Sequence, residues 1–174
     1  MNAAVFSTAN ESYQVSNINY AGPVAEIPPE RRKGESTHSF KMITSMGPVF
    51  CHFTSDEAAK KAHGALAGMM ERCKPSTYKH GFEVIDTRKI VSYSRVVPFK
   101  ASQNGHTHAV IVSVESAAAD PKRSQVWLRY RSEENATKGR TALFAAIQAA
   151  NRQVVPVEDE GAPAGQAVTE DLPF

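Results

Sequence analysis

The sequence HSFKMITSMGPVFCHF, residues 38–53, decides the fold class that we expect. Alternate positions share a face on both sides of the Gly47-Pro48 pair, and this pattern predicts two antiparallel strands joined by a turn. Residues 54–57, Thr-Ser-Asp-Glu, follow directly as a capping box, so a helix should begin there. A strand pair that leads straight into a helix indicates a domain of mixed strands and helices.

The helix predicted after residue 54 has an apolar stripe at helical spacing and ends at Lys74-Pro75. The stripe consists of Ala59, Ala62, Leu66, Met69, Met70 and Cys73. We expect its methionines to fill the core rather than to form a binding surface.

A loop predicted at residues 75–80 separates this helix from further strands. Residues 82–97 form a long strand-like run, which Asp86-Thr87-Arg88-Lys89 should bend or divide. The Asn104-Gly105 turn then leads into residues 106–115, where valines recur at every second position. Two or three strands are therefore expected between residues 82 and 115.

The last strand and the second helix are predicted near the end of the folded region. Residues 125–131 form the strand, and Asn135 should cap the helix that follows. The buried stripe of this helix is expected to contain Leu143, Ile147 and Ala150, with Phe144 at its edge.

The order of these elements, β-β-α-β-β-β-α, predicts an α+β fold. We expect a mostly antiparallel sheet of about five strands with two helices on one face, which leaves the other face free. A divergent OB-like barrel is the alternative fold.

Composition divides the chain into three parts. Residues 1–35 are rich in Ser, Asn, Ala and Pro, so we expect a flexible N-terminal arm, with one edge strand at most between residues 12 and 20. Residues 36–153 should form the folded α+β domain. Residues 154–174 should be a disordered acidic tail, because they contain few large apolar side chains.

Charge is distributed unevenly between the domain and the tail. Residues 36–153 contain 17 Lys and Arg against 9 Asp and Glu, whereas residues 154–174 contain 5 acids and no base. A basic body suggests a polyanionic partner, and a tethered acidic segment can compete for the same surface. The alternative is charge placed only for solubility.

The chain ends in Glu170-Asp171-Leu172-Pro173-Phe174. The terminal ring and carboxylate meet at one point, Pro173 stiffens the approach, and acids precede it, which is the composition of a peptide ligand. The segment resembles the acidic tip of bacterial single-stranded DNA-binding proteins, a family that includes phage and mobile-element members. The resemblance covers these last five residues only, and it implies docking on genome-maintenance proteins such as helicases, nucleases and clamp-loader subunits. That family carries a five-stranded OB barrel with one helix, whereas two helices are predicted here.

The candidate nucleic-acid contacts centre on Val126-Trp127-Leu128-Arg129-Tyr130-Arg131. Strand alternation places Trp127, Arg129 and Arg131 on one face, and the other three residues on the core face. The single tryptophan of the chain, flanked by guanidinium groups, suits a base stacked on the indole with phosphates neutralised by arginine. Further candidate contacts are Tyr93, Arg95, Lys89, Lys122 and Arg123. The alternative for Trp127 is a core side chain covered by the two arginines.

Enzyme signatures are weak in this sequence. There is no glycine-rich phosphate loop and no nucleophile elbow, and the histidines and the two cysteines lack zinc spacing, so no cofactor or metal is predicted. Glu83, Asp86 and Lys89 are the only residues that suggest a metal-dependent nuclease, and their spacing is irregular. We therefore expect a binding protein rather than an enzyme.

The expected compartment is the cytoplasm. Two cysteines are too few for a disulfide framework, no apolar run is long enough to cross a bilayer, and no N-terminal signal pattern is found. A membrane partner is therefore not expected.

Three functions remain from the sequence. The leading one is a protein that coats single-stranded DNA without sequence specificity, with RNA left open, and recruits replication, recombination and repair proteins through its tip. The second is a nuclease or other nucleic-acid-modifying enzyme, and the third is an adaptor that docks by its tail without binding DNA. Self-association is left open, because a small body would gain from cooperative coating of a strand.

Overall fold

The computed structural model describes residues 4–9, 11–102 and 104–152. The strands are β1 (Val5–Ser7), β2 (Ser12–Gln14), β3 (Ile18–Ala21), β4 (Ala25–Glu26), β5 (His38–Thr44), β6 (Gly47–Phe53), β7 (Thr77–His80), β8 (Glu83–Asp86), β9 (Ile90–Pro98), β10 (His108–Val114) and β11 (Gln125–Tyr130). The helices are α1 (Asp56–Cys73) and α2 (Glu133–Arg152).

The predicted α+β class is confirmed, with two helices and antiparallel strand pairs. The described residues contain 11 strands. The prediction of about five was too low because it missed the N-terminal strands and the short β7. The strands form a six-stranded sheet, the three-stranded sheet β11-β10-β9, and the β1–β2 hairpin. None of these sheets closes on itself in the part of the chain described, so the OB-like barrel alternative is wrong.

The prediction of a flexible arm over residues 1–35 is wrong where β3 lies. This strand pairs with β5 on one side and β8 on the other, at the centre of the six-stranded sheet. Ile18 and Ala21 are fully buried. Sequence reasoning missed the strand because it has only four residues, follows a 3-10 turn at Val15–Asn17, and is buried on both faces, which removes the two-residue alternation.

The six-stranded sheet has a separate core on each face. Tyr20, Ile43 and Ile85 stand opposite one another across β3, β5 and β8, and pack against the three-stranded sheet and α2. Their chain neighbours Ala21, Met42 and Val84 face the other way and pack with the stripe of α1. The expectation that one sheet face stays free is therefore wrong for this sheet.

Several local predictions are confirmed with small shifts at the ends of elements. The hairpin of residues 38–53 is formed by β5 and β6, and the run 82–97 divides into β8 and β9 at a 3-10 turn. The first helix is capped by Ser55, one residue after the expected Thr54. The Ser132 hydroxyl accepts a hydrogen bond from the Asn135 amide, so Ser132 and not Asn135 caps the second helix.

A buried ion pair ties the end of α1 to the central sheet. The Lys74 ammonium lies 3.1 Å from the Asp86 carboxylate and donates to the Ile18 carbonyl at 2.6 Å. Both charged side chains are almost inaccessible to solvent. Burial lowers the pKa of Lys74, while the Asp86 charge opposes that shift. This contact joins α1, β8 and β3.

The second helix approaches the three-stranded sheet closely at Gly139. A Cβ built at this position would overlap the Tyr130 hydroxyl and carbons of its ring. Tyr130 is buried in β11, so the ring cannot move out of the way cheaply. The glycine is therefore needed for the contact between α2 and β11.

We expect Gly139→Ala to lower the free energy of unfolding by about 1–3 kcal/mol, because overpacking outweighs the gain in helix propensity. Gly64→Ala is the matched control: Gly64 lies in α1 with no atom within 4 Å of the added Cβ. That change should raise stability by roughly 0.5–1 kcal/mol. Urea unfolding of both variants measures the difference, and equal effects would contradict the close approach.

Candidate nucleic-acid interface

The outward face of β11 carries the aromatic and cationic residues expected from the sequence. Trp127 lies opposite Ile111 of β10 and Arg129 opposite Ala109, while Val126, Leu128 and Tyr130 point to the core. The Trp127 side chain is 41% exposed and meets the Phe99 ring edge-on, with 6.0 Å between ring centroids. The prediction that this indole is outside the core is confirmed.

A groove runs between this face and the β7–β8 corner of the six-stranded sheet. Its volume is about 710 Å³. The side chains that line it are Tyr20, Pro23, Lys41, His80, Phe82, Glu83, Asn104, His106, Gln125, Val126, Trp127, Arg129 and Arg131. Three Lys and Arg side chains and one carboxylate are in this set, so the groove attracts anions.

A tight turn presents a second aromatic ring at the groove. His80 pairs with Glu83 across β7 and β8, so Gly81 and Phe82 are the two turn residues. Gly81 has a φ of 59°, a conformation that hairpin turns of this length require and glycine adopts freely. Phe82 is 74% exposed. An exposed phenylalanine and an exposed tryptophan on one groove offer two surfaces for flat ligands.

The floor of the groove holds a polar pair. The Tyr20 hydroxyl donates to Oε1 of Glu83 at 3.0 Å. Burial raises the pKa of Glu83 to about 7, against the Tyr20 hydrogen bond and the Arg129 charge, which both lower it. Burial also raises the pKa of the Tyr20 hydroxyl. Glu83 is therefore a carboxylate that changes charge near neutral pH.

His80 fixes the corner of the groove to β11. Its Nε2 lies 3.1 Å from the Arg129 carbonyl, and its ring centroid is 4.5 Å from that of Tyr130. Burial lowers the pKa of His80. These contacts connect the two sheets beside the Glu83 carboxylate.

The prediction that Tyr93 contributes to this face is wrong. Tyr93 lies opposite Val112, whose side chain is in the core, and its ring is 5.3 Å below the guanidinium of Arg140 in α2. A register shift between Val110 and Val112 interrupts β9 at this point. Alternation therefore cannot place Arg95 from Tyr93, and Arg95 is exposed but does not line the groove.

The remaining predicted cations lie outside the groove lining. Lys89 pairs with Glu115 at 3.0 Å. Lys122 and Arg123 are exposed on the 3-10 turn that precedes β11. Lys41, which does line the groove, donates to the Arg123 carbonyl at 2.7 Å. The turn therefore extends the basic surface of the groove beyond Lys41.

The nuclease hypothesis depended on Glu83, Asp86 and Lys89 acting together. The structure uses them separately: Glu83 lines the groove, Asp86 is buried against Lys74, and Lys89 pairs with Glu115. No cluster of three His, Cys, Asp or Glu suited to a metal is found among residues 4–9, 11–102 and 104–152.

Sequence reasoning missed several groove residues, namely Tyr20, Lys41, His80, Phe82 and His106. Tyr20 and Glu83 meet because β3 pairs with β8 across more than 60 residues. No local pattern encodes that pairing. Phe82 could have been found, since a glycine followed by an exposed aromatic at a predicted turn is a visible signal.

No protein-family model matches this chain, and neither a curated protein nor a solved structure was found to match it. No helix in the described ranges is long and apolar enough to cross a membrane. The predicted docking tip, Glu170 to Phe174, lies outside the described residues.

The exposure of Trp127 predicts a modest cost for its removal. We expect Trp127→Ala to lower the free energy of unfolding by about 1–2 kcal/mol, because roughly half of the side chain is already in water. Leu128→Ala, one residue along on the core face, should cost about 2–5 kcal/mol. Chemical denaturation of both variants tests the register of β11, and a larger loss for Trp127 would place the indole in the core.

Proposed function

We propose that this chain is a single-stranded DNA-binding protein that coats the strand without strong sequence preference. The observation that carries the proposal is the exposed Trp127 beside Arg129 and Arg131, in a groove that also exposes Phe82. Aromatic rings stack on base faces, and guanidinium groups neutralise the phosphates between the bases. RNA fits the same chemistry.

A single strand suits this groove better than a duplex. In a duplex the base faces are stacked on each other and cannot reach Trp127 or Phe82. In a single strand successive bases can leave the stack and lie on the two rings, while Lys41 and Arg131 contact the backbone.

Recruitment of other proteins is the second part of the proposal. It rests on the sequence of the tip, where Glu170 and Asp171 precede Leu172-Pro173-Phe174. The Phe174 ring would supply the anchored contact, and the acids would steer the encounter with a basic pocket on replication, recombination or repair proteins.

The direct test compares single-stranded and duplex oligonucleotides of equal length at two salt concentrations, by fluorescence anisotropy of a labelled strand. We expect tighter binding of the single strand and weaker binding at the higher salt, since bound cations release counterions. Equal affinity for the duplex would reduce the proposal to general charge attraction, and absence of binding at low salt would contradict it.

Variants of the groove should separate stacking from charge. Trp127→Ala should weaken single-strand binding by roughly 1–3 kcal/mol with little change in salt dependence, because the variant removes a stacking surface and keeps every cation. Arg131→Ala should lower the slope of log affinity against log salt by about 0.7, because it removes one cation that neutralises a phosphate. Arg72→Ala is the control, since Arg72 is exposed on α1 and does not line the groove.

Truncation of the tail should separate competition from docking. Removal of residues 158–174 should strengthen DNA binding, mostly at low salt, because it deletes five acidic side chains. Removal of Pro173 and Phe174 alone should leave DNA binding nearly unchanged and abolish capture of helicase, nuclease or clamp-loader partners in pull-downs. Capture that survives loss of Phe174 would contradict the docking role.

A further inference from the structure

Glu83 places a carboxylate in a groove that is proposed to bind a polyanion. The groove lining also contains Lys41, Arg129 and Arg131, and a carboxylate repels the phosphates that these basic side chains attract. Glu83 is also half-buried, which disfavours its ionised form and raises its pKa to about 7. A carboxylate at this place in the binding groove is explained if the bound strand supplies hydrogen-bond donors to it.

Glu83 is not explained as a structural counter-ion. Its hydrogen-bond donor is the neutral hydroxyl of Tyr20, and none of the ion pairs in the described ranges includes it. The Arg129 charge is close enough to lower the pKa of Glu83 without forming an ion pair. Both residues line the groove, and His80, the cross-strand partner of Glu83, contacts the Arg129 carbonyl. The Glu83 acceptor and the Arg129 donor therefore lie in the same part of the groove, and neither satisfies the other.

Trp127 lies beside this pair on the same face of the strand as Arg129. Side chains two residues apart on one strand are roughly 6–7 Å apart, which is about the width of a base. A base stacked on the indole would therefore turn one edge towards Arg129 and Glu83.

We propose that Glu83 and Arg129 form a guanine-selective base subsite next to Trp127. The inference rests on the proposed single-strand binding and adds a preference at one base position. Guanine presents an acceptor, O6, followed by two donors, N1–H and N2–H, along one edge. Arg129 donates to O6, and the Glu83 carboxylate accepts from the two donors.

The other bases fit this pair less well. Adenine and cytosine each place a ring-nitrogen acceptor beside their amino group, and that acceptor would face the carboxylate. Thymine presents one N–H between two carbonyls, and the carboxylate repels those carbonyl oxygens. Such mismatches leave the half-buried Glu83 carboxylate facing another acceptor, and an unpaired polar group of this kind is a source of base discrimination.

The test uses the full chain and 12-residue thymine strands in which every fourth residue is a second base: 7-deazaguanine, adenine, cytosine or hypoxanthine. This spacing prevents the adenine strand from pairing with itself. The deaza base keeps O6, N1–H and N2–H and prevents four-stranded structures. We expect 7-deazaguanine strands to bind about 5- to 20-fold more tightly than adenine or cytosine strands. Hypoxanthine, which lacks the N2 amino group, should be intermediate.

Glu83→Gln should reduce the ratio of 7-deazaguanine to adenine affinity to about one, because the amide offers one acceptor where the carboxylate offers two. Glu133→Gln, on the exposed start of α2, is the matched control and should keep the ratio. Thermal melts check that both variants fold. In the wild type the ratio should be larger at pH 8 than at pH 6, since only ionised Glu83 accepts both donors, and in Glu83→Gln it should not change with pH.

The outcomes separate this subsite from the proposed function. Binding of all four strands with equal affinity would overturn the guanine subsite and leave single-strand binding intact. If Glu83→Gln keeps the preference for 7-deazaguanine, other residues cause that preference and the proposed role of Glu83 is wrong. Failure to bind any strand would contradict both proposals.

Discussion

The register of β11 on β10 is the constraint on which the proposed interface depends. Val126, Leu128 and Tyr130 are buried beneath α2, so the residues between them must face outward. A slip of one residue would bury Trp127 and Arg129 and expose the core set, at a cost far larger than the stability of a small domain permits. The close approach of Gly139 to Tyr130 fixes the same strand from the helix side. Packing of the core therefore determines which side chains a ligand meets.

The groove is a product of long-range pairing as much as of this strand. Its opposite wall comes from β3 and the β7–β8 turn, whose positions are set by the central sheet and by the buried Lys74–Asp86 pair. Breaking a buried pair by removing one partner leaves an unpaired charge in the interior. The wall with Glu83 and Phe82 thus depends on contacts that lie on the far side of the sheet from the groove.

The sequence predicted the features that local patterns encode. Alternation identified the β5–β6 hairpin, β10 and the two faces of β11, and the capping residues identified both helices to within a few residues. It did not predict β3, which is short and buried on both faces. It also did not predict the contact between Tyr20 and Glu83, because these residues are far apart in the sequence. Tyr93 was assigned to the wrong face because a bulge in β9 breaks the two-residue period.

One measurement tests the central claim most directly: titration of the intrinsic tryptophan emission with an unlabelled single strand. The chain has one tryptophan, so the signal reports on Trp127 alone. Stacking of a base on the exposed indole should quench the emission in a saturable way, and the same length of duplex should quench it less. Unchanged emission under conditions where anisotropy shows the strand to be bound would contradict the account and place the binding site elsewhere on the protein.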